Sequence, residues 1–247
     1  FHGGRRVSEV GLGAWQLGGA DWGDMPDARA FDILDAAAAA GVDFIDTADV
    51  YGLGRSETLI GDWLARRADR ARFFVATKLG RFPEPGWPEN FTPSAVRAHV
   101  DASLRRLRVE ALDLVQLHCV PPEALRAGDM FEALRALKAE GKIKQFGASV
   151  ETVADADYAL GVEGIASLQI IFNILRQPML PILPKAQEKG VSLIVRLPLA
   201  SGLLSGKMRA DHAFAENDHR NYNRDGAAFY VGETFAGLPF AKGVELA

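Results

Sequence analysis

The chain has 247 residues, 48% apolar and 24% charged, with a formal net charge of -4. That is an ordinary globular composition, neither disordered nor fibrous. A single cysteine, Cys119, excludes a disulfide framework and cysteine-rich zinc modules and fits a reducing compartment, so we expect a cytoplasmic protein.

No stretch reaches the ~18 uninterrupted apolar residues of a membrane span. The most apolar run, Ile165 to Leu175, carries Gln169 and Asn173 and reads as a buried strand. Arg and Lys are scattered among acids, so the chain offers no electrostatic footprint for nucleic acid or anionic lipid.

Strand-like runs recur along the chain: Val10 to Leu17, Val42 to Thr47, Phe73 to Lys78, Leu112 to His118, Ile143 to Ser149, Ala166 to Phe172 and Ser192 to Leu197. Helical patterns lie between them. Asp27 to Ala40 is opened by Pro26 and ended by Gly41, which suits a left-handed cap. Thr92 caps a helix from Pro93, with Val96, Val100, Leu104 and Leu107 on one face. Met130 to Glu140, ended by Gly141, and Pro181 to Lys189, ended by Gly190, follow the same grammar. Arg81 to Asn90 and Leu199 to Gly232 read as long loops.

Short buried strands alternating with amphipathic helices predict a parallel α/β sheet, because a right-handed crossover helix is the usual route between parallel neighbours. A doubly wound sheet and a (β/α)8 TIM barrel share this pattern. Polar residues at many strand C-terminal ends, Gln16, Asp46, Lys78, His118, Ser149, Asn173 and Arg196, favour the barrel, whose mouth gathers those ends. Seven βα units are visible and the eighth is missing. The chain opens on Phe1 and stops within a helical pattern at Val244 to Ala247, so residues 1–247 are expected to be one barrel domain truncated at its C-terminus.

Standard nucleotide fingerprints fail. Gly11-Leu12-Gly13 is followed by Gln16 where a third glycine is needed, and Gly202 to Lys207 is one residue short of a P-loop. More informative is Asp46-Thr47-Ala48-Asp49-Val50-Tyr51-Gly52, which ends a strand with an acid and follows it with a phenol. Lys78 ends the next strand and His118 the one after. Each alone is commonly a structural ion pair or a rim residue; four on three adjacent strands form a candidate constellation.

Taken in order, Gly11-Leu12-Gly13-Ala14-Trp15, Phe44-Ile45-Asp46-Thr47-Ala48 with Tyr51-Gly52 and Ser56-Glu57, Ala76-Thr77-Lys78, Leu112 to His118, Gly141-Lys142-Ile143 with Gly147-Ala148-Ser149, and Pro198 to Lys207 resemble the aldo-keto reductase superfamily, in particular its bacterial branches. The resemblance spans essentially the whole chain. It implies a (β/α)8 barrel and NAD(P)H-dependent reduction of aldehydes or ketones, with NADP(H) expected over NAD(H), a small carbonyl compound as substrate and no metal.

The family's catalytic tetrad maps onto Asp46, Tyr51, Lys78 and His118. Tyr51 would be the general acid, Lys78 would lower its pKa from ~10 towards working pH, Asp46 would hold the ammonium, and His118 would bond the substrate oxygen. Ser149 and Gln169 match positions that bind the nicotinamide amide, with Val150 where many members have Asn. Arg196 stands where many relatives stack an aromatic ring on the nicotinamide, and its positive charge is expected to bias the site towards binding the reduced cofactor. Backbone at Leu199, Ser201 and Leu203 would meet the pyrophosphate. Trp15, Trp22 and Trp87 resemble a substrate rim, and Trp63 reads as core.

The missing eighth unit would leave the first and seventh strands with exposed edges and would contain the segment that chooses NADP or NAD. Two other readings stay open: a non-catalytic nicotinamide-binding subunit on the same fold, and a Schiff-base lyase using Lys78. Asp211, His212, Glu216, Asp218 and His219 have metal-ligand side chains but no recognised ligand spacing.

Overall fold

The computed structural model describes residues 4–19, 25–216, 218–228 and 230–247. Strands and helices alternate in the order β1 (Leu12–Gly13), α1 (Asp27–Ala39), β2 (Phe44–Asp46), α2 (Arg55–Ala65), β3 (Phe74–Leu79), α3 (Pro93–Leu107), β4 (Leu112–Leu117), α4 (Pro122–Ala127), α5 (Asp129–Ala139), β5 (Ile143–Ser149), α6 (Val153–Ala159), β6 (Ile165–Ile171), α7 (Ile182–Glu188) and β7 (Ser192–Arg196). After β7 come a 3-10 stretch at Ala200–Ser205 and two short helices, α8 (His219–Tyr222) and α9 (Phe240–Leu246).

Local chemistry accounts for the helix ends. Pro26 precedes α1, whose Ala30, Leu34 and Ala38 fall on its buried stripe. Thr92 accepts from the Ala95 amide at the start of α3, with Pro93 in the first turn. The sequence patterns missed α2, which begins after Gly54 (φ 92°) with no side-chain cap, so the usual start signal is missing. The strand expected over Val10 to Leu17 shrinks to two residues, because Gln16–Gly18 winds into a 3-10 turn.

The seven strands form one parallel sheet in sequential order. Every residue of β3 and β6 is buried, as expected for strands covered on both faces. The sheet curls strongly. In a flat sheet β2 and β6 would be ~19 Å apart at ~4.8 Å per strand, yet the Gln169 amide on β6 donates to Asp46 on β2 at 2.8 Å.

The main core lies between sheet and helices and includes Trp63. A second layer fills the inside of the curl: Phe44, Phe74, Ala76 and Leu114, with Ile194 of β7 packed against them. β7 is less covered, with Val195 42% exposed. None of the helices described is long and apolar enough to cross a membrane.

Candidate active site

Asp46 is the last residue of β2, Lys78 lies one residue before the end of β3, and His118 follows β4 directly. Parallel order puts these ends on one mouth of the curled sheet. The loop after β2 brings Tyr51 over it, fixed by a close backbone contact: a Cβ on Gly18 would lie 2.6 Å from the Gly52 nitrogen and 2.7 Å from the Tyr51 carbonyl carbon. The hydroxyl of Ser56 reinforces the turn, bonding the Ala14 carbonyl (2.8 Å) and the Thr47 hydroxyl (2.9 Å).

Lys78 is 1% exposed. Its ammonium donates to Asp46 Oδ1 at 2.6 Å, the Thr47 carbonyl at 2.9 Å and the Tyr51 hydroxyl oxygen at 3.2 Å, which uses all three of its protons. Burial pulls the Lys78 pKa down, but Asp46 and Tyr51 outweigh it and hold the pKa above its ordinary value. A charged ammonium has no lone pair for Schiff-base chemistry, so the geometry argues against the lyase reading. Asp46 Oδ2 also accepts from Gln169 Nε2 at 2.8 Å and Gln116 Nε2 at 3.4 Å.

The Tyr51 pKa is raised. Burial is the largest influence and Lys78 opposes it. Lys78 therefore acts in the expected direction without winning, and the phenol keeps its proton. The His118 ring meets Tyr51 edge-on at 5.8 Å. Burial, followed by the charges of Lys78, Arg81 and Arg196, holds the His118 pKa well below its ordinary value, so the imidazole is neutral. Its Nδ1 is buried without a hydrogen-bond partner.

The other site residues divide. Trp15 stacks on Tyr51 at 5.9 Å and meets the buried His219 at 4.9 Å. Trp87 stands on the loop after β3, 52% exposed and edge-on to Phe91. Trp22 falls outside the described residues. Ser149 and Gln169 are register partners on β5 and β6, both buried. The Oε1 of Gln169 is buried with no hydrogen-bond partner, an orphaned acceptor of the kind a bound carboxamide would satisfy.

Beyond β7, Leu199 is exposed and Leu203 is buried in a small cluster with Phe235. The Ser201 hydroxyl turns inward, donating to the Glu233 carbonyl at 2.8 Å. Leu197, Ala200 and Ser201 hold positive φ (57°, 49° and 58°), as does Cys119 (49°) just past β4. Such left-handed non-glycine residues cost about 1–3 kcal/mol each and cluster at functional sites.

Arg196 ends β7 and is paired with Glu233 at 3.0 Å and Glu151 at 3.6 Å. These acids, like the Gln116 and Gln169 bonds to Asp46, were not read from the sequence. Gln116 lies two residues on from Leu114 in β4 and so shares its face, which strand periodicity could have flagged. Glu233 ends a short 3-10 turn, Val231–Glu233, whose sequence carries no such signal. Burial raises the Glu151 pKa, with Arg196 opposing, and burial pushes the Cys119 thiol up to about 11. Of the possible ligands between Asp211 and His219, Asp211 pairs with Arg209, while Asp218 pairs with Arg220 and lies 3.5 Å from His219, which packs on Trp15.

Fold and site together define an α/β-barrel protein with a hydrogen-bonded carboxylate, ammonium and phenol at its strand C-terminal ends. The chain belongs to the aldo/keto reductase family, whose family model matches residues 9–242. Among its relatives is the NADH-specific methylglyoxal reductase of Escherichia coli (strain K12), 32% identical over 225 residues that cover 83% of this chain and 68% of the relative.

Solved structures agree. An aldo-keto reductase from Bacillus halodurans in its holo form superposes with a TM-score of 0.74 at 32% identity, covering 85% of this chain and 69% of that one. An aldo-keto reductase from Klebsiella pneumoniae in complex with NADPH gives 0.67 at 27% identity, covering 84% and 69%. The chain spans about two thirds of the length of the curated relatives it matches.

Proposed function

We propose that this protein reduces small aldehydes or ketones to alcohols with a nicotinamide dinucleotide, Tyr51 acting as general acid. The observation that carries this reading is the hydrogen-bonded set Asp46, Lys78 and Tyr51, in which the phenol oxygen already accepts from a buried, ion-paired ammonium.

When bound, the reduced nicotinamide supplies a hydride to the carbonyl carbon. The chain's own residues do the rest. The Tyr51 hydroxyl donates a hydrogen bond to the carbonyl oxygen and passes its proton to the developing alkoxide. Lys78 stabilises the phenolate that is left, and Asp46 keeps Lys78 charged. Neutral His118 bonds the substrate oxygen. Ser149 and the free acceptor of Gln169 are the groups to hold the carboxamide, and the backbone at Leu199, Ser201 and Leu203 flanks the pyrophosphate. Trp15 forms one wall for the substrate, and Trp22 and Trp87 are proposed as outer parts of its rim.

We assign NADP(H) over NAD(H), a choice supported by the NADPH complex of the Klebsiella pneumoniae relative and opposed by the NADH-specific one. Parallel assays with both dinucleotides decide it.

The test is consumption of reduced cofactor at ~340 nm against a panel of small aldehydes. Tyr51→Phe should lower turnover by about 10²–10⁴-fold, the usual contribution of a positioned acid, while cofactor still binds. A Tyr51→Phe variant that keeps a tenth of the activity refutes the role. Because the Tyr51 pKa is raised, the protonated acid persists through neutral pH. The reduction rate should fall only above ~10, and the reverse oxidation, which needs the phenolate, should rise with pH. A reduction rate already falling through neutral pH would contradict this.

A further inference from the structure

Three carboxylate or thiol groups, Glu233, Glu151 and Cys119, lie within 4.8 Å of one another around one cation, Arg196. The Arg196 Nη1 is 3.0 Å from Glu233 and its Nη2 is 3.6 Å from Glu151 and from the Cys119 sulfur. The burial of Cys119 and the upward shift of its pKa keep the thiol neutral, so the charged members are one guanidinium and two carboxylates.

Glu233 does not sit there by accident of a loose loop. Its carbonyl accepts from Ser201 Oγ at 2.8 Å and its amide donates to the Tyr230 carbonyl at 2.8 Å. The following Phe235 amide donates to the same Ser201 hydroxyl at 3.2 Å. Arg176 donates to the Ala236 carbonyl and to the Tyr230 hydroxyl at 3.1 and 2.6 Å. Phe235 and Ala236 are held at φ 51° and 59°, a strain that persists only where the surroundings over-determine it.

The cluster adjoins the site: Cys119, which Arg196 touches, directly follows His118, and its sulfur lies 3.7 Å from the Ser149 hydroxyl. Glu233 contributes to the upward shift of Tyr51, and Arg196 contributes to the downward shift of His118. A hydride donor must lie within ~3.5 Å of a carbonyl held by Tyr51, hence in the same mouth. Oxidised nicotinamide carries a positive ring charge that the reduced form lacks, so every fixed charge there enters the balance between the two forms.

We infer that Glu233, assisted by Glu151, sets the redox-state preference of the cofactor site by overriding the Arg196 cation, so that the oxidised dinucleotide is not repelled as Arg196 alone would repel it. This rests on the nicotinamide reading above.

The experiment measures dissociation constants of NADP+ and NADPH by calorimetry at pH 8, for the protein and for Glu233→Gln, Glu151→Gln and Glu233→Gln/Arg196→Gln. Removing one unit charge from a partly solvated site should weaken NADP+ relative to NADPH on the order of tenfold, about 1.4 kcal/mol of Coulomb energy. Glu151→Gln should move the ratio the same way, and the double variant should move it back. Circular dichroism checks that each variant is folded; if Glu233→Gln unfolds, Glu151→Gln carries the test. A ratio unchanged within about twofold in a folded variant that binds both forms overturns the inference and leaves the cofactor reading standing. Failure of the unsubstituted protein to bind either dinucleotide overturns both.

Discussion

Replacing Asp46 with Asn removes the charge from the central ion pair without changing its volume. Asp46 Oδ1 accepts from Lys78 at 2.6 Å, and Oδ2 accepts from Gln169 and Gln116. The side chains of Lys78 and Asp46 are 1% and 17% exposed, so solvent screens the pair little. Deleting one partner of a buried pair costs about 3–5 kcal/mol. The Asn oxygen keeps one hydrogen bond to the ammonium, which returns about 1 kcal/mol, so the expected loss near neutral pH is about 2–4 kcal/mol.

The pH dependence has a definite sign. In the parent the folded Lys78 pKa is raised above its unfolded value. Its stabilisation is therefore complete below ~10.4 and lost only as pH rises through the folded value. In Asp46→Asn, burial no longer has that carboxylate against it and the Lys78 pKa falls. The unfolded chain then binds more protons than the folded one, and stability rises with pH. Urea denaturation followed by tryptophan fluorescence, at pH ~7 and ~9, should show the gap between the two proteins narrowing at the higher pH. A variant within about 1 kcal/mol of the parent near neutral pH, or one whose gap stays constant, refutes the reasoning.

Two further perturbations test the scaffold. Glu57 is fully buried and its carboxylate accepts from Arg106 at 2.6 Å and Thr77 at 2.5 Å; Arg106→Met should cost about 3–5 kcal/mol at alkaline pH. Burial already raises the Glu57 pKa, and a raised carboxyl pKa makes stability fall as pH rises, so the loss should shrink in mildly acidic urea melts; equal losses at both pH values would contradict this. Gly18→Ala would push a Cβ into the Gly52 and Tyr51 backbone; it should cost about 1–3 kcal/mol as an overpacking change and lower turnover more than it raises KM, whereas unchanged melting and turnover would show that the Tyr51 turn is not clamped there.

Much of the fold was legible because the sheet is parallel and covered on both faces. Ile143–Ser149 and Ser192–Arg196 emerge from the apolar runs almost residue for residue, and Thr92-Pro93 announces α3 through its own chemistry. α2 escaped because its start is a left-handed glycine and not a capping side chain. The meeting of Asp46, Lys78 and His118 follows from strand-end position, and Tyr51 joins them through the turn after β2. The partners of Asp46 and Arg196 were illegible for a different reason: Gln169 and Glu233 come from 123 and 37 residues away, and no local pattern encodes a contact made by curling the sheet or by the course of an irregular segment.

The sequential strand order separates two tasks. Under the proposed reading, the groups that move the proton all come from β2, β3, β4 and the turn after β2, an arc about 10 Å wide at ~4.8 Å per strand step. The groups packed beside this arc come from elsewhere: Trp15 on Tyr51 from chain after β1, His219 on Trp15 from chain after β7, and Gln169 on Asp46 from β6. Under that reading, part of the surroundings of the reacting groups is written in stretches of sequence other than those that supply them. Substitutions at Trp15 or His219 would then change the surroundings of the site while leaving the hydrogen bonds among Asp46, Lys78 and Tyr51 in place.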